Sequence, residues 1–371
     1  MKELKRFAYL DSLRGIAIIL VLIAHTAMRG DNSGLPSWFI RITSIDIGPR
    51  GVQLFFVVSA YTLCLSYASR KKFEKHYVKN FYLRRFFRIA PLFYIAVLFY
   101  AFTGMVFENA NFSFLNILTT LTFTNGFFPN YINSIVFGGW SIAIEAMFYL
   151  IFPFLFSYLT SIRKTVLVTF FCMVILQVVR LIFLSLPFVS GNPDLQTYTF
   201  QFFPSQFPVF LIGILFYSIH QKIPTKREGR LVTVFFMLVL VLAVSQYIFR
   251  VKIIAGHYIY ALIFGALLHY LHNNPFKFLV NSFTAYVGKI SFSVYLCHTA
   301  IFALFSFFGF LDIAPKLPFV NYFFRLFLVS LFSFSLGSIL HFELERRGIA
   351  YGKRIIDKEE RKNTQTSSLL K

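Results

Sequence analysis

The chain has 371 residues, of which 57% are hydrophobic and 14% charged, with 52 Phe, 20 Tyr and a mean hydropathy of +0.67. Soluble domains carry about 25% charged residues, so this composition excludes a soluble globular fold, along with disordered, collagen-like and disulfide-rich classes; it leaves an integral membrane protein with several spans. The 36 Lys and Arg against 15 Asp and Glu give a net charge of +21, which in a membrane protein marks cytoplasmic loops before it marks a nucleic-acid partner.

Ten apolar segments with polar breaks follow in chain order, near 10–29, 48–69, 87–104, 140–161, 165–186, 205–220, 231–249, 254–272, 288–309 and 322–343. The opening resembles a signal peptide. Asp11 and Arg14 interrupt its apolar run, however, and no small-residue cleavage site follows, so it reads as a retained first span. Segment 112–128 is short and interrupted by Asn and Thr, which suits a re-entrant or interfacial stretch. Cys64, Cys172 and Cys297 each lie inside an apolar run and read as small buried residues. The stretch after about 350 is the one candidate for disorder.

With the N-terminus inside, the cytoplasmic segments carry 27 of the 36 basic residues and the outer loops 6, the others lying within spans. That bias predicts an all-α integral membrane protein of about ten transmembrane helices with both termini cytoplasmic. It also predicts a ten-span domain over 1–345, a polar cytoplasmic tail over 346–371, and no nucleic-acid partner.

Ionisable groups inside a bilayer are costly, so each is a functional candidate. In the first span Arg14 and His25 are eleven residues apart, about 20° beyond three full turns, and so share one face roughly 16 Å apart. Alone, Arg14 reads equally well as a snorkelling anchor and His25 as a packing histidine. In the second span Ser59 reads first as a helix-packing hydroxyl. Arg84, Arg85 and Arg88 close the basic loop 70–88, where three guanidinium groups suit phosphates as well as ordinary positive-inside charge. The fourth span opens Trp140-Ser141 and carries Glu145 a turn further on. A carboxylate at that depth pairs with His25, as an acid orienting a general base, or with Arg180 in a structural ion pair. In the ninth span Ser291, Tyr295 and His298 line one face, either as a polar stripe or as part of a substrate path. No His or Cys grouping has zinc spacing, so no metal is predicted.

Taken in order, these pieces resemble the membrane-bound acyltransferase 3 family, the O-acetylases of bacterial surface glycans. The matching elements are Arg14 and His25; Phe55, Phe56 and Ser59; Arg85, Arg88 and Pro91; Trp140, Ser141 and Glu145; and Ser291, Tyr295, Leu296 and His298. Ala60 stands where the family usually has Gly. The chain reads as the stand-alone form, without the extra hydrolase-like domain of some members.

The resemblance implies transfer of an acyl group, usually acetyl, from cytoplasmic acyl-coenzyme A to a hydroxyl of an extracytoplasmic glycan or lipid-linked sugar, in a bacterial cytoplasmic membrane. It casts His25 as general base with Glu145 in support, and Arg14, Arg84, Arg85 and Arg88 as donor-binding residues. Ser59, Trp140, Ser141, Tyr295 and His298 line the substrate path or stabilise the oxyanion. A covalent acyl-enzyme on His25 or a serine is a second route. The rival is a multi-span exporter of a glycan or small solute without acyl chemistry, and dependence on the donor separates the two.

Overall fold

In an apolar medium the backbone must satisfy its own polar groups, which restricts Phe-, Leu- and Ile-rich runs of this length to helices. The computed structural model describes residues 7–221, 225–249 and 254–369, and the regular structure among these is helical. Lys2, Lys5, Arg6, Lys222, Arg250, Lys252 and Lys371 of the charge tally lie outside the described residues. The main helices are α1 Ala8–Met28, α2 Gly51–Arg70, α3 Tyr77–Phe107, α4 Trp140–Tyr158, α5 Ile162–Ser185, α6 Phe203–Gln221, α7 Lys226–Phe249, α8 Gly256–Asn273, α9 Ser282–Lys289, α10 Ser291–Phe307, α11 Pro318–Leu340 and α12 Arg346–Leu369.

Eight helical runs among the described residues are long and apolar enough to cross a membrane, or nine when the bent pair α9–α10 counts as one span. The sequence predicts about ten. The difference lies at α8, which forms where the eighth segment is expected. There His257, His269, His272 and Asn273 sit at its two ends and shorten the apolar stretch between them.

Segment 112–128 is too short to span, as expected, and two other expectations change in detail. Segment 112–128 holds an eight-residue helix, Phe114–Leu121, and a single turn at Asn125–Phe127, neither long enough to cross a bilayer. Arg84, Arg85 and Arg88 lie within α3 rather than in a loop. Its 31 residues reach about 46 Å at 1.5 Å per residue, longer than a bilayer core, so the helix continues through its basic start. The stretch after 350 is helical: α11 runs through a π-type turn, His341–Glu345, into α12.

The chain divides into two compact units: residues 1–55, 83–96 and 270–371, and residues 56–82 and 97–269. In the first, α1 packs most extensively on α9. The approach is backbone to backbone. A Cβ at Gly15 would lie 2.1 Å from the Thr284 carbonyl oxygen, and one at Gly288 would lie 1.7 Å from that of Asp11. Residue 11 therefore faces 288 and residue 15 faces 284, so α9 runs antiparallel to α1. The Thr284 hydroxyl donates to Ser12 Oγ at 3.0 Å in the same contact. Asn281 caps α9 with a reciprocal Thr284 bond, an arrangement that contributes about 1 kcal/mol. In the same unit, α12 lies on the start of α3 through Gly348 and Gly352, which face Phe87 and Pro91.

The second unit is built on rings. Phe210 stacks on Phe56 and Phe148 with centroids 4.4 and 4.1 Å apart, and Phe152, Phe81, Tyr67 and Phe156 extend the cluster. Each such pair adds about 0.5–1.5 kcal/mol beyond its buried area, which gives the high Phe content a structural use. Here too a glycine permits close helix contact: a Cβ at Gly213 would lie 2.4 Å from the Val57 carbonyl oxygen and 2.8 Å from Ala60 Cβ. The small residue at this crossing is supplied by α6, with Ala60 accommodated opposite.

Candidate active site

The first unit brings His25 of α1 and His298 of α10 together. His298 is fully buried and His25 is partly exposed. The network fixes their tautomers. The Tyr295 carbonyl can only accept, so His298 Nδ1, 2.7 Å away, carries a proton. His298 Nε2 then holds a lone pair in the neutral ring and accepts from His25 Nδ1 at 3.0 Å. His25 is left with its lone pair on Nε2, on the far side of the ring from His298. Phe302, also fully buried, lies with its ring centroid 6.5 Å from each imidazole. The arrangement is a fully buried imidazole hydrogen-bonded to a partly exposed one. The sequence places His298 on a substrate path; the structure makes it the hydrogen-bond partner of His25.

Glu145 lies in the second unit, on the first turns of α4. Its Oε1 accepts from the Ser59 hydroxyl and, at 2.6 Å, from Tyr149. Two donors on one oxygen suit an ionised carboxylate. Ser59 is thus more than a packing hydroxyl. Glu145 and Arg180 form no ion pair. Tyr149 carried no signal in the sequence beyond its place four residues after Glu145. In the same unit Trp140 meets Phe56 edge to face at 6.2 Å, and the Ser141 hydroxyl donates to the Gly138 carbonyl at 3.1 Å.

Arg14 pairs with Asp11 at 3.2 Å, one turn earlier on α1. Arg84, Arg85 and Arg88 are all partly exposed on α3. Positions 84 and 88, and 85 and 88, fall on neighbouring turns, as adjoining cations must to share a polyanionic ligand. Ser291 begins α10 and is buried; Tyr295, one turn on, meets Phe55 edge to face at 6.4 Å. Five residues before His298, buried Ser293 donates to Glu345 Oε2 at 2.8 Å, and His341 Nδ1 lies 3.0 Å from the same oxygen. The sequence offers no hint of this cluster.

The hydrogen-bonded histidines lie among the apolar helices of an integral membrane protein. The family follows from the chain itself: a family model described as an acyltransferase domain matches residues 7–341, and the protein belongs to this acyltransferase 3 family. Acyl transfer between a donor and an acceptor is therefore its class of activity. No curated protein and no solved structure shows significant similarity to it.

Proposed function

We propose that the protein moves an acyl group, acetyl by family habit, from cytoplasmic acyl-coenzyme A to a hydroxyl of an extracytoplasmic glycan or lipid-linked sugar, in a bacterial cytoplasmic membrane. The observation that carries this reading is the hydrogen-bond chain from the Tyr295 carbonyl through His298 to His25, which engages His25 Nδ1 and makes Nε2 the basic nitrogen of the neutral ring. The basic-residue bias supports a topology with both termini cytoplasmic. Arg14 then lies toward the cytoplasm and His25 in the outer half of the bilayer. Arg84, Arg85, Arg88 and Arg14 receive the donor phosphates.

His25 Nε2 takes the proton of the acceptor hydroxyl as its oxygen attacks the thioester carbon. The carbonyl electron pair moves to oxygen. When the adduct collapses the C–S bond breaks, and the coenzyme A thiolate leaves with the proton from His25. The buried His298 holds the ring in place as it becomes charged. Glu145, held by Ser59 and Tyr149, is proposed as a catalytic carboxylate on its Trp140-Ser141…Glu145 pattern. Ser141 and Tyr295 are the proposed polar lining of the acceptor path.

The test is acetyl-coenzyme A turnover, and transfer to a crude glycan, by the purified full-length protein in detergent. Wild type turns over, and His25→Ala loses activity while still binding donor. Near-normal transfer by His25→Ala overturns the mechanism. A folded wild type that neither binds nor consumes the donor overturns the function.

A further inference from the structure

Helix α1 ends at Met28, and Arg29 adopts an extended backbone (φ −129°, ψ 147°). The next residue, Gly30, has φ +76°, and a Cβ there would lie 1.8 Å from Arg325 Nη1. Only glycine meets both conditions. Arg325 of α11 is 1% exposed and binds Asp312 Oδ1 at 2.7 Å, Asn32 Oδ1 at 2.6 Å and the Leu311 carbonyl at 3.3 Å. Asn32 Nδ2 donates back to the Ala27 carbonyl at 2.9 Å, and the Asp31 amide donates to Asp312 Oδ1 at 2.9 Å. The loop that follows α1 is therefore bolted to a buried ion pair, and the backbone of Arg29 is held between that loop and the helix.

The side chain of Arg29 lies over Phe302. Its guanidinium carbon lies 5.9 Å from the centroid of Phe302, the ring that borders both His25 and His298. A cation at a helix C-terminus answers the exposed carbonyls, but that requirement alone is met by any rotamer pointing at the helix end. The observed position places a fixed guanidinium against the apolar wall of the base. The two arginines take different positions: Arg325 pairs with Asp312 and fixes the loop, while Arg29 lies on the ring that borders the imidazole cluster.

We infer that Arg29 is a catalytic residue of the acyl transfer, its guanidinium stabilising the oxyanion formed on the thioester carbonyl. The inference rests on the proposed role of His25 as base. When the acceptor oxygen attacks, the C–O bond forms, its proton passes to His25 Nε2 and negative charge appears on the former carbonyl oxygen. The adduct is then a neighbouring anion and imidazolium, and a cation already in place beside the base lowers its energy without reorganisation. On collapse the electron pair returns to the carbonyl, the C–S bond breaks, and the thiolate takes the proton from His25. A guanidinium suits this role because its several N–H donors accept a range of oxyanion positions while its face stays on Phe302.

The experiment compares wild type, His25→Ala, Arg29→Gln and Arg29→Met as full-length proteins in detergent. Acetyl-coenzyme A turnover gives kcat, and calorimetry with coenzyme A gives donor Kd. Met keeps the apolar stem over Phe302, so packing and charge are separated. Both Arg29 variants are expected to lose about 10²–10³ in kcat, the effect of removing an oxyanion donor, with Kd within threefold of wild type. Normal kcat in either folded Arg29 variant, with His25→Ala inactive, overturns the inference and spares the base. A weaker Kd with unchanged kcat also overturns it, because Arg29 would then hold the donor. Activity in His25→Ala overturns the reading beneath it.

Discussion

The role of His298 can be tested without touching the base. In the resting state its Nε2 accepts from a neutral His25; during transfer His25 becomes an imidazolium, and the same 3.0 Å bond gains a charged donor. A hydrogen bond to a charged group contributes about 1.5–3 kcal/mol against about 1 for a neutral one. A variant without the acceptor loses the neutral bond from the ground state as well, so the difference of about 0.5–2 kcal/mol lowers kcat by roughly 2- to 30-fold at 1.36 kcal/mol per decade. His298→Leu removes the acceptor while filling most of the fully buried volume; His298→Gln restores an acceptor oxygen. The assay is steady-state acetyl-coenzyme A turnover in detergent, with melting temperature followed in parallel to confirm folding. The Leu variant should lose kcat at unchanged donor KM, and the Gln variant should recover part of the loss. Turnover by His298→Leu equal to wild type would refute the orienting role. So would equal losses in Leu and Gln, because the defect would then follow packing rather than hydrogen bonding.

Two further predictions concern the frame and the donor. Asp312→Ala strands the fully buried Arg325 guanidinium and should lower stability by about 3 kcal/mol, near the lower end for breaking a buried pair because Asp312 is itself part exposed; an unchanged melting temperature in detergent would show that the pair does not fix the loop. The triple variant Arg84→Gln, Arg85→Gln, Arg88→Gln should raise donor KM by about tenfold or more, since each charged contact to phosphate contributes about 1.5–3 kcal/mol when made, and should flatten the salt dependence of KM while leaving kcat near wild type. A large kcat loss at constant KM would remove the phosphate assignment.

The helices were legible because long Phe- and Leu-rich runs admit no other backbone in lipid, and the ten expected segments are all helical where described. What periodicity could not show were the interruptions. Helix α8 falls short as a span because histidines occupy its ends, and those residues engage polar neighbours rather than lipid: His257 Nε2 lies 2.9 Å from the Ser205 carbonyl, and Tyr9 Oη lies 3.0 Å from His272 Nδ1. Arg14, His25, Glu145 and Ser59 stood out as polar residues in apolar runs, which is a cost argument and needs no partner. The partner of His25 was hidden. The bond between His25 and His298 joins residues 273 positions apart, and nothing in the local pattern marks a buried histidine as acceptor rather than lining. Arg29 drew no notice because a basic residue just past a helix end is ordinary; only the ring beneath its guanidinium sets it apart.

The join between α9 and α10 explains how the dyad is assembled. Because residue 11 faces 288 and residue 15 faces 284, a straight continuation of α9 would carry the chain toward the N-terminal end of α1, away from His25. At Ile290 the backbone takes φ −89° and ψ 0°, in the sparsely used bridge region, and the helices diverge by 76°. No proline is needed; one residue outside the helical well redirects the chain. His298 lies two turns into α10 and so reaches the far half of α1. That helix is consequently held at three levels by the C-terminal third of the chain: at Ser12–Gly15 by α9, at His25 by α10, and beyond Met28 by Arg325 of α11. A base held at both ends of its helix loses little rotational freedom when substrate arrives, which is the condition for a general base to act at a fixed nitrogen. The bend should then be as sensitive as the histidines themselves, since straightening it moves His298 without altering either imidazole.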